Sequence, residues 1–312
     1  MKNIFISIVI PVFNSNKNLD NLLNNLILVL KENYESFEIV LIDDESKDDS
    51  WEIIKKFSAN YDFIKSIKLR KNVGQHNAIF AGLSFAKGKY VITLDDDGQN
   101  SPKDILILIK KIKEGFDVVY ANFNKKRHNI FRKLGSSFNN IIASFLFNKP
   151  FKLTQTSFRC FNKDIKDEIL KCKSSNIYLD GIIYSITKNI TNVYVEHQNR
   201  IFGNSNYTFL KLLSLWSQMA TGFSILPLRL SSLLGFFFSI LSFCITIWLV
   251  FFRDVESSIP MGWTSLMVVI IFFGGVQLLA LGLIGEYLGR AYLSINNYSV
   301  YSIKEKINLK DD

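Results

Sequence analysis

Over the first 122 residues, short apolar runs alternate with longer segments in which apolar residues recur at helical spacing. Short apolar runs bounded by turn residues are typical of buried strands, and apolar positions three and four apart are typical of amphipathic helices. The predicted strands are residues 4–11, 37–42, 64–69, 90–94 and 118–121. The predicted helices are residues 19–31, 49–61, 75–86 and 102–114. This alternation predicts an α/β fold with a mostly parallel sheet that helices cover on both faces.

Beyond residue 122 the pattern becomes less regular. Short strands are predicted at 158–161 and 193–195, and a helix begins near Asp164. Residues 131–148 follow a basic cluster and carry aromatic and aliphatic residues at helical spacing, which is typical of a helix in the membrane interface. The same spacing also fits an amphipathic helix packed on the sheet. A second amphipathic helix is predicted at 207–228.

Two long uncharged apolar segments follow, at about 230–252 and 264–285. Each is long enough to cross a bilayer, which takes about 20 residues. The connector 253–256 has one base and two acids, whereas the flanking regions on both sides are basic. By the positive-inside rule, the segments form a membrane hairpin whose two ends are cytoplasmic. The alternative, two buried core helices, fits poorly with such long uncharged runs.

The predicted organisation therefore has four parts. Residues 1–206 form a cytoplasmic α/β domain, and 207–228 a helix at the membrane. Residues 229–288 form the transmembrane hairpin, and 289–312 a cytoplasmic tail. The protein is thus expected to be a multi-pass membrane protein with its α/β domain and both termini in the cytoplasm.

The balance of charge favours an anionic partner. The formal net charge is +9 at pH 7, and a membrane surface and a nucleic acid both fit that sign. The basic cluster 125–128 would add attraction to an anionic leaflet. No recognised nucleic-acid-binding motif accompanies these bases, so we expect no nucleic-acid partner. The three cysteines show neither metal-ligand spacing nor a disulfide framework.

The candidate chemistry begins where the strand at 90–94 ends. Asp95, Asp96 and Asp97 follow it directly, and adjacent carboxylates repel one another unless a cation lies between them. Oxygen ligands alone suit Mg²⁺ or Mn²⁺ better than zinc, and such ions usually bind together with substrate phosphates. The carboxyl ends of parallel strands are also where open α/β sheets bind ligands. A solvated acidic turn is the simpler alternative for the triplet alone.

A second acidic site, Asp43 and Asp44, follows the strand at 37–42. Carboxylates at a strand end can accept hydrogen bonds from a nucleobase N–H and from ribose hydroxyls. No Gly-x-Gly-x-x-Gly follows the first strand, and no Walker-type Gly-Lys-Ser/Thr occurs in the sequence. These absences argue against a dinucleotide cofactor and against a P-loop.

Several motifs, taken together and in order, resemble glycosyltransferase family 2, which has the GT-A fold. The first three are Ile8-Val9-Ile10-Pro11-Val12-Phe13-Asn14, Asp43-Asp44-x-Ser46 and Asp95-Asp96-Asp97-Gly98-Gln99-Asn100-x-Pro102. The later ones resemble its polyprenyl-phosphate sugar transferases: Lys71-Asn72-x-Gly74-Gln75-His76-x-Ala78, Ser157-Phe158-Arg159, Tyr178-Leu179-Asp180-Gly181, Val195-Glu196-His197-x-x-Arg200-x-x-Gly203-x-Ser205-x-Tyr207 and Gly285-Glu286-Tyr287-x-Gly289-Arg290. The aminoarabinose-transferring enzymes are closest in pattern, and dolichyl-phosphate mannose synthase is a more distant relative.

The resemblance implies roles for particular residues. Those implied to bind the nucleotide sugar are Pro11, Asp43, Asp44, Asp95, Asp96 and Gln99. The implied metal ligands are Asp95 and Asp97, and the implied catalytic residues are Asp97, Arg159 and Arg200. The implied contacts to the acceptor phosphate are Arg200, Ser205 and Arg127. Two positions depart from the family pattern: Glu45 replaces the usual glycine, and Gly98 the usual leucine.

The implied reaction is metal-dependent, inverting transfer of a sugar from a nucleotide sugar, with UDP the preferred nucleotide. The acceptor is a polyprenyl phosphate such as undecaprenyl phosphate in the inner (cytoplasmic) membrane, and the product serves cell-envelope glycan or lipid modification. A phosphate monoester is largely dianionic at neutral pH, so this acceptor attacks without a strong general base. Asp180 fits either an assisting role or a loop anchor.

Two other functions stay open at this point. A processive polysaccharide synthase of the same family usually carries Gln-x-x-Arg-Trp, which the sequence lacks. A non-catalytic membrane scaffold that binds a nucleotide or lipid would not need the intact acidic motifs. The pair Gly274-Gly275 would allow close helix packing within the hairpin or against another subunit, so a homo-oligomer also stays open.

Overall fold

A computed structural model describes residues 4–123, 153–172, 177–195, 262–295 and 299–309, and a few residues between 228 and 244. The contacts divide the chain into two compact units. The first unit comprises Met1–Asn206 together with Asn297–Asp312, and the second comprises Tyr207–Asn296.

The first unit is built on an eight-stranded sheet with the order β7-β5-β6-β4-β1-β2-β3-β8. Its strands are β1 (Ile6–Val12), β2 (Phe37–Asp43), β3 (Ile64–Leu69), β4 (Tyr90–Thr93), β5 (Val118–Phe123), β6 (Arg159–Asn162), β7 (Ile190–Val195) and β8 (Ile303–Ile307). The pairs β1–β2, β1–β4, β2–β3 and β5–β7 are parallel, whereas β6 and β8 run antiparallel to their neighbours. The prediction of an α/β fold with a mostly parallel sheet is confirmed.

The helices between the strands also follow the predicted pattern. They are α1 (Asn16–Asn33), α2 (Ser50–Asn60), α3 (Gln75–Leu83), α4 (Asp104–Ile112), α5 (Lys163–Leu170) and α6 (Leu179–Ile186). In α1 the buried residues Leu19, Leu22, Leu23 and Leu26 recur three and four positions apart and join the core. All of β1 is buried, as expected for a central parallel strand with helices on both faces.

Strand β6 inserts antiparallel between β4 and β5, and its register brings distant residues together. Arg159 lies opposite Thr93 on β4 and opposite Tyr120 on β5. The short apolar run around Arg159 predicted a strand but gave no information on its neighbours. This pairing determines the surroundings of one of the residues implied to be catalytic.

Strand β8 was not predicted. The segment 289–312 was expected to be a tail, but the structure continues a helix to Ile295 and then forms β8 at the edge of the sheet. The main-chain N–H of Arg70 donates to Ser302 O at 2.8 Å just beyond the pairing of β3 with β8. The sequence of β8 alternates only weakly and carries three charged residues, which is typical of an edge strand but gives a poor strand signal.

In the second unit, helix α7 spans Trp263–Ile295. Within the described part of the chain it contains the one segment, Phe272–Gly289, that is long and apolar enough to cross a membrane. The predicted second span, 264–285, falls inside this helix. The predicted first span, 230–252, is described only in part, with residues 231–238 helical. The predicted helix 131–148 and almost all of 207–228 lie outside the described residues, so the two-helix hairpin stays a prediction.

Candidate active site

The acidic loop follows β4 at the carboxyl ends of the central parallel strands. The main-chain N–H of Gln99 donates to Asp97 Oδ1 at 3.0 Å, which closes a tight turn. Gly98 within this turn has φ 72°, in the left-handed region that favours glycine. The departure from the family's leucine at this position therefore matches the local backbone conformation.

Asp95 is held from two sides. Its Oδ1 accepts a hydrogen bond from Gln75 Nε2 at 2.6 Å, and its Oδ2 accepts one from the Ser157 hydroxyl. Burial raises the pKa of Asp95 to about 6, the Ser157 hydrogen bond opposes the rise, and the negative charges of Asp97 and Asp96 add to it. A carboxylate pushed toward its neutral form by burial and by neighbouring acids is one that a divalent cation would stabilise as the anion.

Asp96 has different partners from Asp95. Its Oδ2 accepts hydrogen bonds from the main-chain N–H of Phe13 at 3.0 Å and from the Ser15 hydroxyl. Asp96 therefore anchors the loop between β1 and α1, and its contacts within the structure are to that loop. The anchored loop leaves the Phe13 side chain 47% exposed.

The second acidic site supports a loop from inside. Asp44 is 3% exposed, and its two carboxylate oxygens accept hydrogen bonds from the N–H groups of Val73 and Gly74 at 2.8 and 2.9 Å. Asp43 is fully buried; among the described residues its Oδ2 has no hydrogen-bond partner, and Lys68 Nζ lies 3.8 Å away. Burial raises the pKa of both carboxyl groups. Asp44 therefore holds the loop at Val73 and Gly74 in place. Contact of Asp43 or Asp44 with a nucleotide stays a prediction.

The two acidic sites meet through consecutive residues. Gly74 donates its N–H to Asp44, and Gln75 donates its side-chain amide to Asp95. Gly74 has φ 85°, in the left-handed region that favours glycine, and it directly precedes α3. This backbone conformation allows the two neighbouring donors to bind different carboxylates. The two acidic sites therefore lie next to each other, joined by Gly74 and Gln75.

Arg159, which the resemblance implies to be catalytic, is buried and paired within the chain. It is 1% exposed, forms an ion pair with Asp180 and donates from Nε to Thr93 Oγ1 at 3.2 Å. The Tyr120 hydroxyl donates to the same Asp180 oxygen at 2.7 Å, and burial raises the pKa of Tyr120, which keeps this hydroxyl protonated. Because its guanidinium is buried and already paired, we assign Arg159 to positioning, and Asp180 to anchoring the start of α6.

The remaining implied residues are placed as follows. Pro11 is buried in β1 opposite Ile42, and Gln99 Nε2 is buried without a hydrogen-bond partner among the described residues. Arg127, Arg200 and Ser205 lie outside the described residues. Sequence reasoning missed the partners of the acids, Ser15, Gln75 and Ser157, although each lies in or next to a motif. In the described ranges no three His, Cys, Asp or Glu side chains form a metal-binding group. A cation would therefore bind to Asp95 and Asp97 and take its remaining ligands from water or substrate phosphates.

Comparison with known proteins decides the family. Residues 7–172 match the family model for glycosyl transferase family 2. The chain belongs to glycosyl transferase family 2. Similar proteins include the undecaprenyl-phosphate 4-deoxy-4-formamido-L-arabinose transferases of Salmonella choleraesuis and Salmonella paratyphi B. Each is 33% identical to this chain over 308 residues, which cover 97% of this chain and 93% of the relative.

Solved structures support the fold of this family 2 member. Glucosyl-3-phosphoglycerate synthase from Mycobacterium tuberculosis in complex with Mn²⁺ and UDP-glucose gives a TM-score of 0.51 at 13% identity, covering 70% of this chain and 77% of that one. The same synthase with Mn²⁺, UDP and phosphoglyceric acid gives a TM-score of 0.50 at 15% identity, with coverages of 70% and 76%. The chain is therefore a glycosyltransferase with the GT-A fold.

Proposed function

We propose that this family 2 glycosyltransferase transfers a sugar from a nucleotide sugar to a polyprenyl phosphate such as undecaprenyl phosphate. The observation that carries the proposal is the link between the two acidic sites: Gly74 and Gln75 bind Asp44 and Asp95 at one edge of the sheet. The acceptor class is supported by the undecaprenyl-phosphate relatives, which align with almost the whole chain.

A divalent cation fits the acidic loop. Asp95 and Asp97 would hold Mg²⁺ or Mn²⁺, because burial and the charge of Asp97 raise the pKa of Asp95 and a cation would stabilise its ionised form. When bound, such an ion neutralises the charge that develops on the leaving diphosphate. Hydrogen bonds from Gln75 and Ser157 fix the orientation of Asp95 before any ligand arrives.

The donor is proposed to be a UDP-sugar. Phe13 offers an exposed aromatic face for a nucleobase, and Asp96 fixes the loop that carries it. Asp44 supports the neighbouring loop through Val73 and Gly74. These residues are proposed to orient the donor. Holding the donor in the reactive geometry is the main contribution of positioning to such a transfer.

The acceptor phosphate is proposed to attack the anomeric carbon in a single inverting displacement. A phosphate monoester is mostly dianionic at neutral pH and needs no strong general base. Arg200, Ser205 and Arg127 are the proposed contacts to this phosphate. The enzyme is proposed to be a multi-pass protein of the inner (cytoplasmic) membrane, anchored by the predicted hairpin, for cell-envelope glycan or lipid modification.

The test is transfer of labelled sugar into lipid. Detergent-solubilised full-length protein is incubated with a panel of labelled UDP-sugars, undecaprenyl phosphate and Mg²⁺ or Mn²⁺. We expect transfer that EDTA abolishes and that Asp97→Asn lowers by about 100-fold, since a ligand to the cation is lost.

The matched control is Asp62→Asn, which removes an exposed acid in the same domain and leaves transfer unchanged. Normal transfer by Asp97→Asn would contradict the proposal. Product analysis separates the alternatives, because a processive synthase yields a polymer and a scaffold binds the nucleotide sugar without turnover.

A further inference from the structure

The start of α3 connects two parts of the site through neighbouring residues. Gln75 donates its side-chain amide to Asp95 in the acidic loop at 2.6 Å. Asn77 Oδ1 accepts the main-chain N–H of Ile177 at 3.2 Å, at the beginning of the segment that leads into α6. His76 stands between these two contacts in the chain. Its position in the fold is therefore fixed from both sides.

The His76 imidazole has an unusual environment. Its Nδ1 is buried and has no hydrogen-bond partner among the described residues. The ring lies edge-on against Tyr178, with the ring centroids 5.2 Å apart and the planes at 66°. Burial lowers the pKa of His76, the charge of Asp180 opposes this, and that of Arg159 reinforces it. The imidazole is therefore neutral at physiological pH.

The chemistry of this nitrogen indicates the kind of group it would bind. A buried nitrogen without a partner costs free energy, so such atoms are normally paired by protein, water or ligand. A neutral imidazole offers one donor and one acceptor, which suits a hydroxyl or an amide. A phosphate would be better matched by a cation, and the buried cation close to His76, Arg159, is already paired with Asp180. The expected partner is therefore a neutral polar group.

We propose that His76 Nδ1 forms a hydrogen bond to a hydroxyl or amide substituent of the transferred sugar and thereby selects the donor. This inference rests on the proposed function and adds a specificity-determining residue to it. A site that hydrogen bonds a substituent rejects sugars lacking it, because the buried polar atom is then left unpaired.

Three substitutions separate the polar atom from the shape of the ring. His76→Phe keeps a ring without polar atoms, His76→Asn places a polar atom near the position of Nδ1, and His76→Gln places one near that of Nε2. For each full-length variant, kcat/KM is measured with the panel of UDP-sugars and undecaprenyl phosphate. We expect His76→Phe to lower kcat/KM for the preferred donor by about 10- to 100-fold and to reduce the differences in kcat/KM among donors. His76→Asn should retain more of the kcat/KM for the preferred donor, and more of the preference for it, than His76→Gln.

Binding of UDP alone provides the control, measured as its Kd by calorimetry. An unchanged Kd in His76→Phe shows that the fold and the nucleotide site are intact. If the wild type transfers no sugar at all, the proposed function fails before His76 is tested. If the wild type transfers sugar and His76→Phe keeps kcat/KM within about threefold for every donor, transfer does not depend on Nδ1 and the inference is overturned. An equal loss for all donors together with weakened UDP binding also overturns it, because the role is then structural.

Discussion

Asp95 has the clearest conflict between charge and environment in the described part of the active site. Its pKa is raised to about 6 by burial and by the adjacent acids. The pKa of Asp95 in the unfolded chain is the ordinary aspartate value of about 4. Between this pH and about 6, the folded state therefore holds a proton that the unfolded state has released. Rising pH through this window therefore lowers the stability of the metal-free protein. The loss is complete above the folded pKa, so it is present at neutral pH.

Asp95→Asn removes this conflict. Without metal at pH 7.5, we expect the variant to be more stable than the wild type by about 1 to 2 kcal/mol. This is less than the free energy that corresponds to the full pKa shift, because the loop is partly exposed to solvent. The difference should vanish toward pH 4 and shrink on addition of Mn²⁺, which stabilises the wild type by binding. Thermal unfolding of solubilised protein in EDTA measures it. A less stable variant at pH 7.5, or an equal gain in Asp62→Asn, would contradict the expectation.

The pairing of Arg159 with Asp180 shows why a residue type alone does not give a role. Both side chains are buried, and removing one partner of such a pair leaves an uncompensated charge. The pair therefore holds β6 against the start of α6. The resemblance implies a catalytic role for Arg159, but the charged partner of Arg159 comes from the same chain.

Among the elements, β8 has the most consequence for the first unit. It adds a strand to the edge of β3, and Asn308 follows it with φ 57°. Asn308 Nδ2 donates to the carbonyl oxygens of Ser58 and Ile64, at 2.6 and 2.9 Å. These contacts tie the end of the chain to the end of α2 and the beginning of β3.

Asn308→Ala should release this end of the chain. The variant loses the hydrogen bonds and puts alanine at a left-handed position that asparagine tolerates better, so we expect a loss of about 1 to 2 kcal/mol in stability. Limited proteolysis should cut the C-terminal segment faster. Asn308→Gly, which tolerates the backbone conformation but lacks the amide, should fall between the variant and the wild type. Unchanged cleavage and stability in Asn308→Ala would contradict this prediction. It would mean that the pairing of β3 with β8 is sufficient to hold the segment without the Asn308 hydrogen bonds.

At the scale of the whole molecule, β8 also limits the membrane topology. The sheet contains residues from both sides of the second unit, Tyr207–Asn296. A sheet cannot have strands on opposite faces of a bilayer, so if the intervening segment enters a bilayer it must cross it an even number of times. The described residues contain one candidate span, Phe272–Gly289. An even number of crossings favours the predicted hairpin, with 230–252 as the other span.

This argument leads to a topology experiment. An epitope inserted in the connector 253–256 should be accessible only from the periplasmic side, and a C-terminal epitope only from the cytoplasmic side. Protease protection in right-side-out and inside-out vesicles measures both. The control is an epitope at the N-terminus, which should behave as the C-terminal one does. Accessibility of the connector and the C-terminus from the same side would contradict the hairpin.

The sequence by itself determined the alternation of strands and helices, the position of both acidic sites and the family. These features depend on local periodicity and on residues close together in the chain, so they can be read without knowing any distant contact. Gln75 and Ser157 lie within the motifs and Ser15 directly follows one, but nothing local indicated that these residues bind the acids.

Only the tertiary structure decided which partner each charged side chain has. Arg159 meets Asp180 and Thr93 across 21 and 66 residues of chain, and Asp44 meets Gly74 across 30. Strand β8 has a weak local signal and exists because β3 offers an unpaired edge. Whether a carboxylate or guanidinium faces a ligand or another part of the protein depends on such distant pairings, because burial and partners, not residue type, set the energy of a charge.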